Sequence, residues 1–364
     1  MIDFIPLENY FGLYINILLI ITLFCFLNSA VLPISSGKNL LFTNLVGYFI
    51  LFSVILYLGL RPISGRYFGD TIIYSRYFQY YVTGGDITSD KDVFFHIFMK
   101  FCSAFMNVHG FFTLCVFLYV FPLYTISKRF FKEYWFYCFF MFVVSFSFYT
   151  YGVNGIRNGL ATSFFLWGIS YHKKKVIMGL FFLLSVSFHK TMFLPVIAFV
   201  ITYFYSNPKS FLIGWLVCIP LSLLLSSVWI SFFSSLGFAD DRLSGYLTSQ
   251  AEEGTFSSTG FRWDFLFHSA FAVFAGWYFI FKKQFKDKLY SRLLVTYLIC
   301  NGFWILIIKA NFSNRFAYLS WFMMGLIIIY PFLKKESFVK HHLMTGKVMT
   351  VYFSFTYLMY YLYK

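Results

Sequence analysis

The chain has 364 residues, of which 60% are hydrophobic, 25% are aromatic and only 12% are charged. Soluble domains carry about 25% charged residues, so the composition excludes an ordinary soluble protein and predicts an all-α, polytopic integral membrane protein. The formal net charge of +15 would suggest a nucleic-acid partner in a soluble protein. In a chain this apolar it instead bears on membrane orientation, and we expect no nucleic-acid partner.

Apolar runs separated by polar breaks predict about twelve transmembrane helices, since a crossing helix needs about 20 apolar residues. Residues 93–108 contain His96 and Lys100 and are predicted to form an amphipathic helix at the interface instead. Without a repeat or linker, residues 1–364 are expected to form a single multi-pass domain. The predicted spans are 10–28, 40–60, 109–126, 134–151, 156–171, 176–188, 191–206, 211–230, 263–281, 290–308, 315–333 and 347–363.

Basic residues concentrate in alternate breaks between these spans. The short breaks at 128–132, 173–175, 282–288 and 334–340 are basic, and the positive-inside rule assigns them to the cytoplasm. This orientation leaves a net charge of about +14 inside and about +1 outside, with both termini outside. Long outer loops then follow at about 61–108 and 231–262, and the unusual polar residues gather on the outer face.

The first outer-face motif is the segment 152–161, Gly-Val-Asn-Gly-Ile-Arg-Asn-Gly-Leu-Ala. Asn154 is predicted to cap a helix, which places Arg157 at about the third helical position. Uncapped N–H groups and an arginine in the first turn suit an oxyanion such as a phosphate. The alternative is a glycine-rich packing motif with a snorkelling arginine.

A second helix start has the same pattern at residues 311–318, Asn-Phe-Ser-Asn-Arg-Phe-Ala-Tyr. Ser313 or Asn314 is the predicted cap, and Arg315 lies in the first turn. Two such helix starts that face one compartment can bind a diphosphate between them. The alternative for Arg315 is an ordinary interfacial arginine.

His189 and Lys190 form a third motif, in the polar break Ser-Phe-His-Lys-Thr at 187–191. A histidine can act as a general base or as a hydrogen-bond donor near neutral pH, and Lys190 adds positive charge. The alternative for His189 is a structural role.

The first outer loop contributes Arg61, Arg66 and Asp70. Asp70 lies between arginines and is a candidate base, or a residue that orients the base. Asp90 and Asp92 form a weak Asp-x-Asp pattern, which is interpreted as a solvated acidic turn rather than a cation site. The same interpretation applies to Asp240, Asp241, Glu252 and Glu253.

The six cysteines lie mostly in apolar runs and form no Cys-x-x-Cys pair. They are predicted to be buried thiols rather than disulfides or zinc ligands. The seven histidines show no metal-ligand spacing, and we expect no metal site.

These segments together resemble the EpsG branch of Wzy-type polysaccharide polymerases. The resemblance is carried by Arg61-Pro62 with Gly69-Asp70, by residues 154–161 and 187–191, and by Asn314-Arg315-Phe316 with Tyr318. It spans roughly residues 40–333 and is most specific around Arg157 and His189.

The resemblance implies an inverting glycosyltransferase with a C-type multi-pass fold, active on the extracytoplasmic face of the bacterial cytoplasmic membrane. Such enzymes join undecaprenyl-diphosphate-linked oligosaccharide repeat units into O-antigen, capsule or exopolysaccharide, without a nucleotide sugar or a metal. Arg157 and Arg315 would bind the leaving diphosphate, assisted by Lys190 or Arg66. His189 or Asp70 would orient and deprotonate the acceptor hydroxyl. Membrane lipids, a chain-length regulator and a flippase are the other candidate partners.

Three alternatives remain open. A flippase or other transporter would need a polar path through the bilayer and internal repeats, and neither is evident in the sequence. A membrane acyltransferase would use His189 with an acyl donor. An O-antigen ligase would transfer a finished chain to a lipid A core and would not lengthen the chain.

Overall fold

The computed structural model describes residues 2–90, 92–235, 260–310 and 313–362. These residues form helices and no strand, which confirms the all-α class. They divide into two compact units: unit 1 is Met1–Met192 with Phe332–Lys364, and unit 2 is Phe193–Pro331. Asp240, Asp241, Glu252 and Glu253, with most of the predicted outer loop at 231–262, lie outside the described residues.

Unit 1 contains a long helical scaffold and three shorter helices in the predicted first outer loop. Its helices are α1 Tyr10–Val31, α2 Gly37–Gly59, α3 Gly65–Phe68, α4 Thr71–Val82, α5 Val93–Ser103, α6 Val108–Phe131, α7 Trp135–Val143, α8 Phe148–Val153, α9 Ile156–Ser170, α10 Lys175–Phe188 and, at the end of the chain, α17 His341–Leu362. Short 3₁₀ turns lie at Leu7–Asn9, Lys132–Tyr134 and Lys190–Met192.

Unit 2 has fewer helices and a π-helical turn at Tyr278–Lys282. Its helices are α11 Phe193–Phe204, α12 Pro208–Ser235, α13 Trp263–Trp277, α14 Lys288–Leu306, α15 Asn314–Trp321 and α16 Met324–Lys334, whose last residues belong to unit 1.

Seven helical segments are long and apolar enough to cross a membrane, and they confirm a polytopic membrane protein. These are Leu7–Val31, Gly37–Gly59, Val108–Val143, Pro208–Phe233, Trp263–Lys282, Lys288–Leu306 and Asn314–Lys334. Large apolar side chains on these helices are exposed, such as Phe49 at 64% and Leu224 at 80%, as expected where helices face lipid. The count of twelve spans stays a prediction, because helices such as α9 and α10 have only 15 and 14 residues.

The predicted span 134–151 is broken. Lys132 has a positive φ of 49°, and the ring of Trp135 lies 4.9 Å from that of Tyr124, so α7 turns back along α6. Helix α7 ends at Val143, and the short helix α8 begins only at Phe148. A second break follows between α8 and α9.

The basic breaks of unit 1 lie together at one end of its helices. Lys334 Nζ donates to the carbonyl oxygen of Phe130 at 2.6 Å, the ring of Phe130 lies 6.0 Å from that of His172, and Arg129 lies 3.6 Å from the ring centroid of Tyr171. We call this the basic end.

The opposite end of unit 1 is made by α3, α4 and α5. The ring of Phe111, in the first turn of α6, lies 5.3 Å from Phe78 of α4 and 6.0 Å from Phe95 of α5. This loop end therefore lies one full length of α6 away from the basic end. The predicted loop 61–108 folds into helices that pack onto the scaffold.

Candidate functional site

The break between α8 and α9 is the centre of the loop end. Asn154 follows α8 in a near-helical conformation, with φ −107° and ψ −59°, and Gly155 is the N-cap of α9. The prediction that Asn154 caps α9 is therefore wrong. Its side-chain Oδ1 instead accepts a hydrogen bond from the backbone N–H of Asp70 at 2.9 Å, because its helical backbone does not present the side chain as a cap.

Arg157 is the second residue of α9, and no side chain caps the first-turn N–H groups of this helix. Its Nη1 donates to Asp92 Oδ2 at 2.5 Å, and its Nε donates to Tyr74 Oη at 3.1 Å. The Arg157 side chain is 16% exposed and that of Asp92 is 9% exposed. The guanidinium is thus held from two sides at a helix start, which is where an anion is favoured.

The interpretation of Asp92 as part of a solvated turn is wrong, because its carboxylate is buried against Arg157. Asp90, two residues earlier, is exposed as expected. The predicted helix at 93–108 places Asp92 directly before a helix start, but nothing in the local sequence indicates that this aspartate meets a cation. The packing of α5 and α9 against α10 decides which of the two aspartates meets a cation.

Arg61 is a buried arginine that links two helix ends near the same end of unit 1. Its side chain is fully buried, Nη2 donates to the Val153 carbonyl at 3.0 Å, and Nη1 donates to the Leu58 carbonyl. These acceptors lie in the last turns of α8 and α2, where a cation is favoured. Burial lowers the pKa of Arg61 to about 10, so the group is charged at neutral pH.

His189 lies at the end of α10 and reaches the same region through its neighbour Phe188. The ring of Phe188 packs 5.0 Å from Phe94 of α5 and 5.3 Å from Phe164 of α9. His189 is half-buried, and its Nδ1 lies 2.7 Å from Thr191 Oγ1. The antiparallel packing of α9 and α10 brings the 187–191 motif to the end of unit 1 that holds Arg157.

The remaining predicted residues of unit 1 differ in their exposure. Asp70 is half-buried beside Asn154 and is the N-cap of α4, without a side-chain cap bond. Lys190 is exposed at the start of its 3₁₀ turn. Arg66 is also exposed, and its guanidinium lies 5.4 Å from the ring centroid of Tyr67. The structure thus joins Asp70 to the α8–α9 break, whereas Lys190 and Arg66 keep exposed positions.

Tyr74 of α4 and His96 of α5, which lie outside the seven candidate spans, have shifted pKa values. Burial raises the pKa of Tyr74, so its hydroxyl stays protonated and can accept from Arg157. Burial, and secondarily the positive charge of Arg157, lower the pKa of His96. The ring nitrogen Nδ1 of His96 lies 2.8 Å from the hydroxyl of Tyr81.

Unit 2 holds the second predicted helix start. Of the two predicted caps, Ser313 is the N-cap residue of α15, without a side-chain cap bond, whereas Asn314 is the first helical residue and not the cap. Ser313 has helical φ and ψ, and the helix therefore continues directly from it. Arg315 is the second residue of α15 and is exposed, which matches the position of Arg157 in α9.

A buried polar network fixes α15 within unit 2. Asn301 Nδ2 donates to the hydroxyls of Ser269 and Ser320 at 3.0 Å each. Trp215 Nε1 donates to Asn301 Oδ1 at 2.7 Å, and Trp321 Nε1 donates to Ser269 Oγ at 2.7 Å. None of the predictions from the sequence included this network, although an asparagine within an apolar run is a recognisable signal for it.

Among the described residues, no three histidine, cysteine, aspartate or glutamate side chains lie close enough together to hold a metal ion. The α8–α9 break brings an arginine and a carboxylate together at a helix start. This combination can bind and orient an anion while a second carboxylate, that of Asp70, lies nearby.

The EpsG family model matches residues 48–364, a range that contains every residue of this cluster. This chain belongs to the EpsG family. The match confirms the family resemblance and makes this EpsG family member a membrane protein of polysaccharide synthesis. No curated protein and no solved structure matches the chain significantly.

Proposed function

We propose that this EpsG family protein is a polysaccharide polymerase. It joins undecaprenyl-diphosphate-linked oligosaccharide repeat units by glycosyl transfer and releases the lipid diphosphate. The observation that carries the proposal is the half-buried Arg157, held in the uncapped first turn of α9. A fixed cation beside free helix N–H groups is suited to the charge that develops on a leaving diphosphate.

The reaction needs one bond to form and one to break. The acceptor hydroxyl oxygen of one repeat unit bonds to the anomeric carbon of the other. The bond from that carbon to the diphosphate oxygen breaks, and its electron pair leaves with the diphosphate. Arg157 stabilises this charge, and Arg315, which has the equivalent place in α15, is the second proposed cation. Lys190 and Arg66 are exposed cations that assist binding by attracting the anionic substrate.

The acceptor proton goes to Asp70 in this proposal. The carboxylate of Asp70 makes no hydrogen bond among the described residues and is half-buried beside Asn154. His189 Nδ1 accepts from the backbone N–H of Thr191 at 3.3 Å, so the neutral ring carries its proton on Nε2. That arrangement favours His189 as a donor that orients a hydroxyl or phosphate oxygen, rather than as the base.

The loop end faces the periplasm or the cell exterior in this proposal. Its support is the gathering of residues 128–135, 171–175 and 332–335 at the basic end of unit 1, because the positive-inside rule assigns such an end to the cytoplasm. The lipid tails of the substrates would lie along the exposed apolar helices. A flippase that delivers repeat units and a chain-length regulator are the expected protein partners.

The test uses a bacterial strain that lacks this protein and carries the gene on a plasmid. Arg157→Ala, Arg315→Ala and Asp70→Asn should each abolish the ladder of surface glycan on a gel, while protein levels in the membrane stay normal. Arg76→Ala is the matched control, because Arg76 is exposed on α4 and has no assigned role. Normal ladders from Arg157→Ala would overturn the proposal.

The form of the product separates the alternatives. A polymerase gives a ladder of repeat units, and its loss leaves single units on the cell surface. Loss of one finished chain from the lipid A core would indicate a ligase. Accumulation of repeat units on the cytoplasmic side would indicate a flippase, and an acyl group missing from an otherwise normal glycan would indicate an acyltransferase.

A further inference from the structure

Asp92 has an unusual local conformation. It is the N-cap residue of α5, yet its φ of 47° and ψ of 45° place it in the left-handed region, which residues other than glycine adopt only in special contexts. Its carboxylate makes no cap hydrogen bond to α5, although aspartate at this position normally does so. Asp92 therefore departs both from the usual backbone conformation of a non-glycine residue and from the usual capping role of an aspartate.

The contact that Asp92 makes instead is with Arg157, 65 residues later. A non-glycine residue in a strained conformation is held there by its surroundings, and such residues cluster at functional sites. The buried carboxylate contacts Nη1, and the Tyr74 hydroxyl contacts Nε. These two contacts hold two of the three guanidinium nitrogen atoms and so fix the plane of the group.

The third nitrogen, Nη2, has no hydrogen-bond partner among the described residues. Because Nη1 and Nε are held, the direction of the Nη2 donors is set before any ligand arrives. A preoriented donor stabilises developing charge without the cost of reorganisation. A lysine at this position would lack the planar fork that two partners can hold.

We infer that Asp92 and Tyr74 are positioning residues that hold Arg157 for the departing diphosphate. The inference rests on the proposed function. Asp92 is itself an anion, so its charge opposes the binding of a diphosphate while its geometry favours the transition state. These opposite effects distinguish positioning from simple attraction of the substrate.

The experiment uses the full-length protein in lipid nanodiscs, with lipid-linked repeat units extracted from the strain that lacks it. Asp92→Asn and Tyr74→Phe should each lower kcat about 10- to 100-fold per folded molecule. The KM for the lipid-linked donor should stay unchanged or fall in Asp92→Asn, because the opposing charge is gone. Asp86→Asn is the control, because it removes the 95% exposed carboxylate of the Asp86–Lys100 pair. This variant should leave kcat and KM unchanged.

The same changes are then made in an Arg157→Lys background. If Asp92 and Tyr74 act through the guanidinium group, each change should lower kcat less than about threefold in the Arg157→Lys background. Equal losses in both backgrounds, or an unchanged kcat in both single variants, would overturn the inference. If Asp92→Asn accumulates poorly in the membrane, Tyr74→Phe decides, because it removes one hydroxyl group only.

Failure of the inference and failure of the proposed function give different results. Ladder formation by Arg157→Ala overturns the function itself. Loss of the ladder in Arg157→Ala with a normal kcat in both positioning variants overturns only the roles of Asp92 and Tyr74.

Discussion

The side-chain oxygen of Asn154 accepts a hydrogen bond from the backbone N–H of Asp70, 84 residues earlier in the chain. This bond ties the start of α4 to the break before α9, and so ties Asp70 to the helix that carries Arg157. Gly69 makes it possible, because a Cβ atom at this glycine would lie 2.3 Å from Asn154 Oδ1, and its φ is +56°.

Gly69→Ala should therefore abolish polymer formation and lower the thermal stability of the purified protein. An alanine at this positive φ would strain the backbone by about 1 to 3 kcal/mol. Its Cβ atom would also displace the side chain of Asn154. Gly84→Ala is the matched control, because Gly84 has a φ of +86° but open space around its Cβ position. If both variants behave alike, the contact with Asn154 has no special importance.

Arg61→Lys should destabilise the loop end. A lysine keeps the charge but cannot donate to the carbonyls of Leu58 and Val153 together, and one of these buried acceptors is left unsatisfied. The expected loss is about 2 to 3 kcal/mol in the free energy of unfolding, seen as a lower midpoint of thermal unfolding in detergent. Arg76→Lys, at an exposed site, should change little. An unchanged midpoint in Arg61→Lys would show that the two carbonyl contacts do not matter.

Acidification should destabilise the protein through His96. Burial and the charge of Arg157 lower the pKa of this group in the folded state, so the folded protein binds its proton less readily than the unfolded chain. Its contribution to stability is fully present above the ordinary histidine pKa of about 6.5 and is lost as pH falls through the folded-state value. Thermal unfolding between pH 8 and pH 5 should show a smaller pH dependence in His96→Gln than in the wild type. Identical pH dependence in both would exclude this role.

Chelation with EDTA should leave polymer formation intact, because guanidinium groups and helix N–H groups are proposed to stabilise the diphosphate charge. The measurement is repeat-unit joining by the reconstituted protein with and without EDTA. Activity that is lost and then restored by Mg²⁺ would show that a divalent cation takes part.

Cysteine labelling should reveal the orientation. The native cysteines are buried or, for Cys218, partly buried, so an added surface thiol should dominate the signal. Asp86→Cys at the loop end should react with a membrane-impermeant maleimide in intact cells. Lys174→Cys at the basic end should react only after permeabilisation. The reverse pattern would place the proposed site in the cytoplasm.

The local sequence was a reliable guide to the helical class, the family and the candidate motifs. Apolar runs and polar breaks depend on composition over short windows, and the same holds for the basic breaks that unit 1 gathers at one end. The cap prediction failed at Asn154, and of the pair Ser313 or Asn314 only Ser313 is the N-cap residue. A cap depends on backbone angles at a single residue, which local sequence does not determine. A side chain also takes whichever partner the fold brings to it, and for Asn154 that partner is Asp70.

By itself, the sequence determined a helical membrane protein of the EpsG family, with arginines in the first turns of two helices. Only the tertiary structure decided which side chains meet those helices. Asp90 and Asp92 have the same chemistry and lie two residues apart, yet only Asp92 is buried against Arg157. That contact spans 65 residues and depends on how α4, α5 and α9 pack together, and no local pattern encodes that packing.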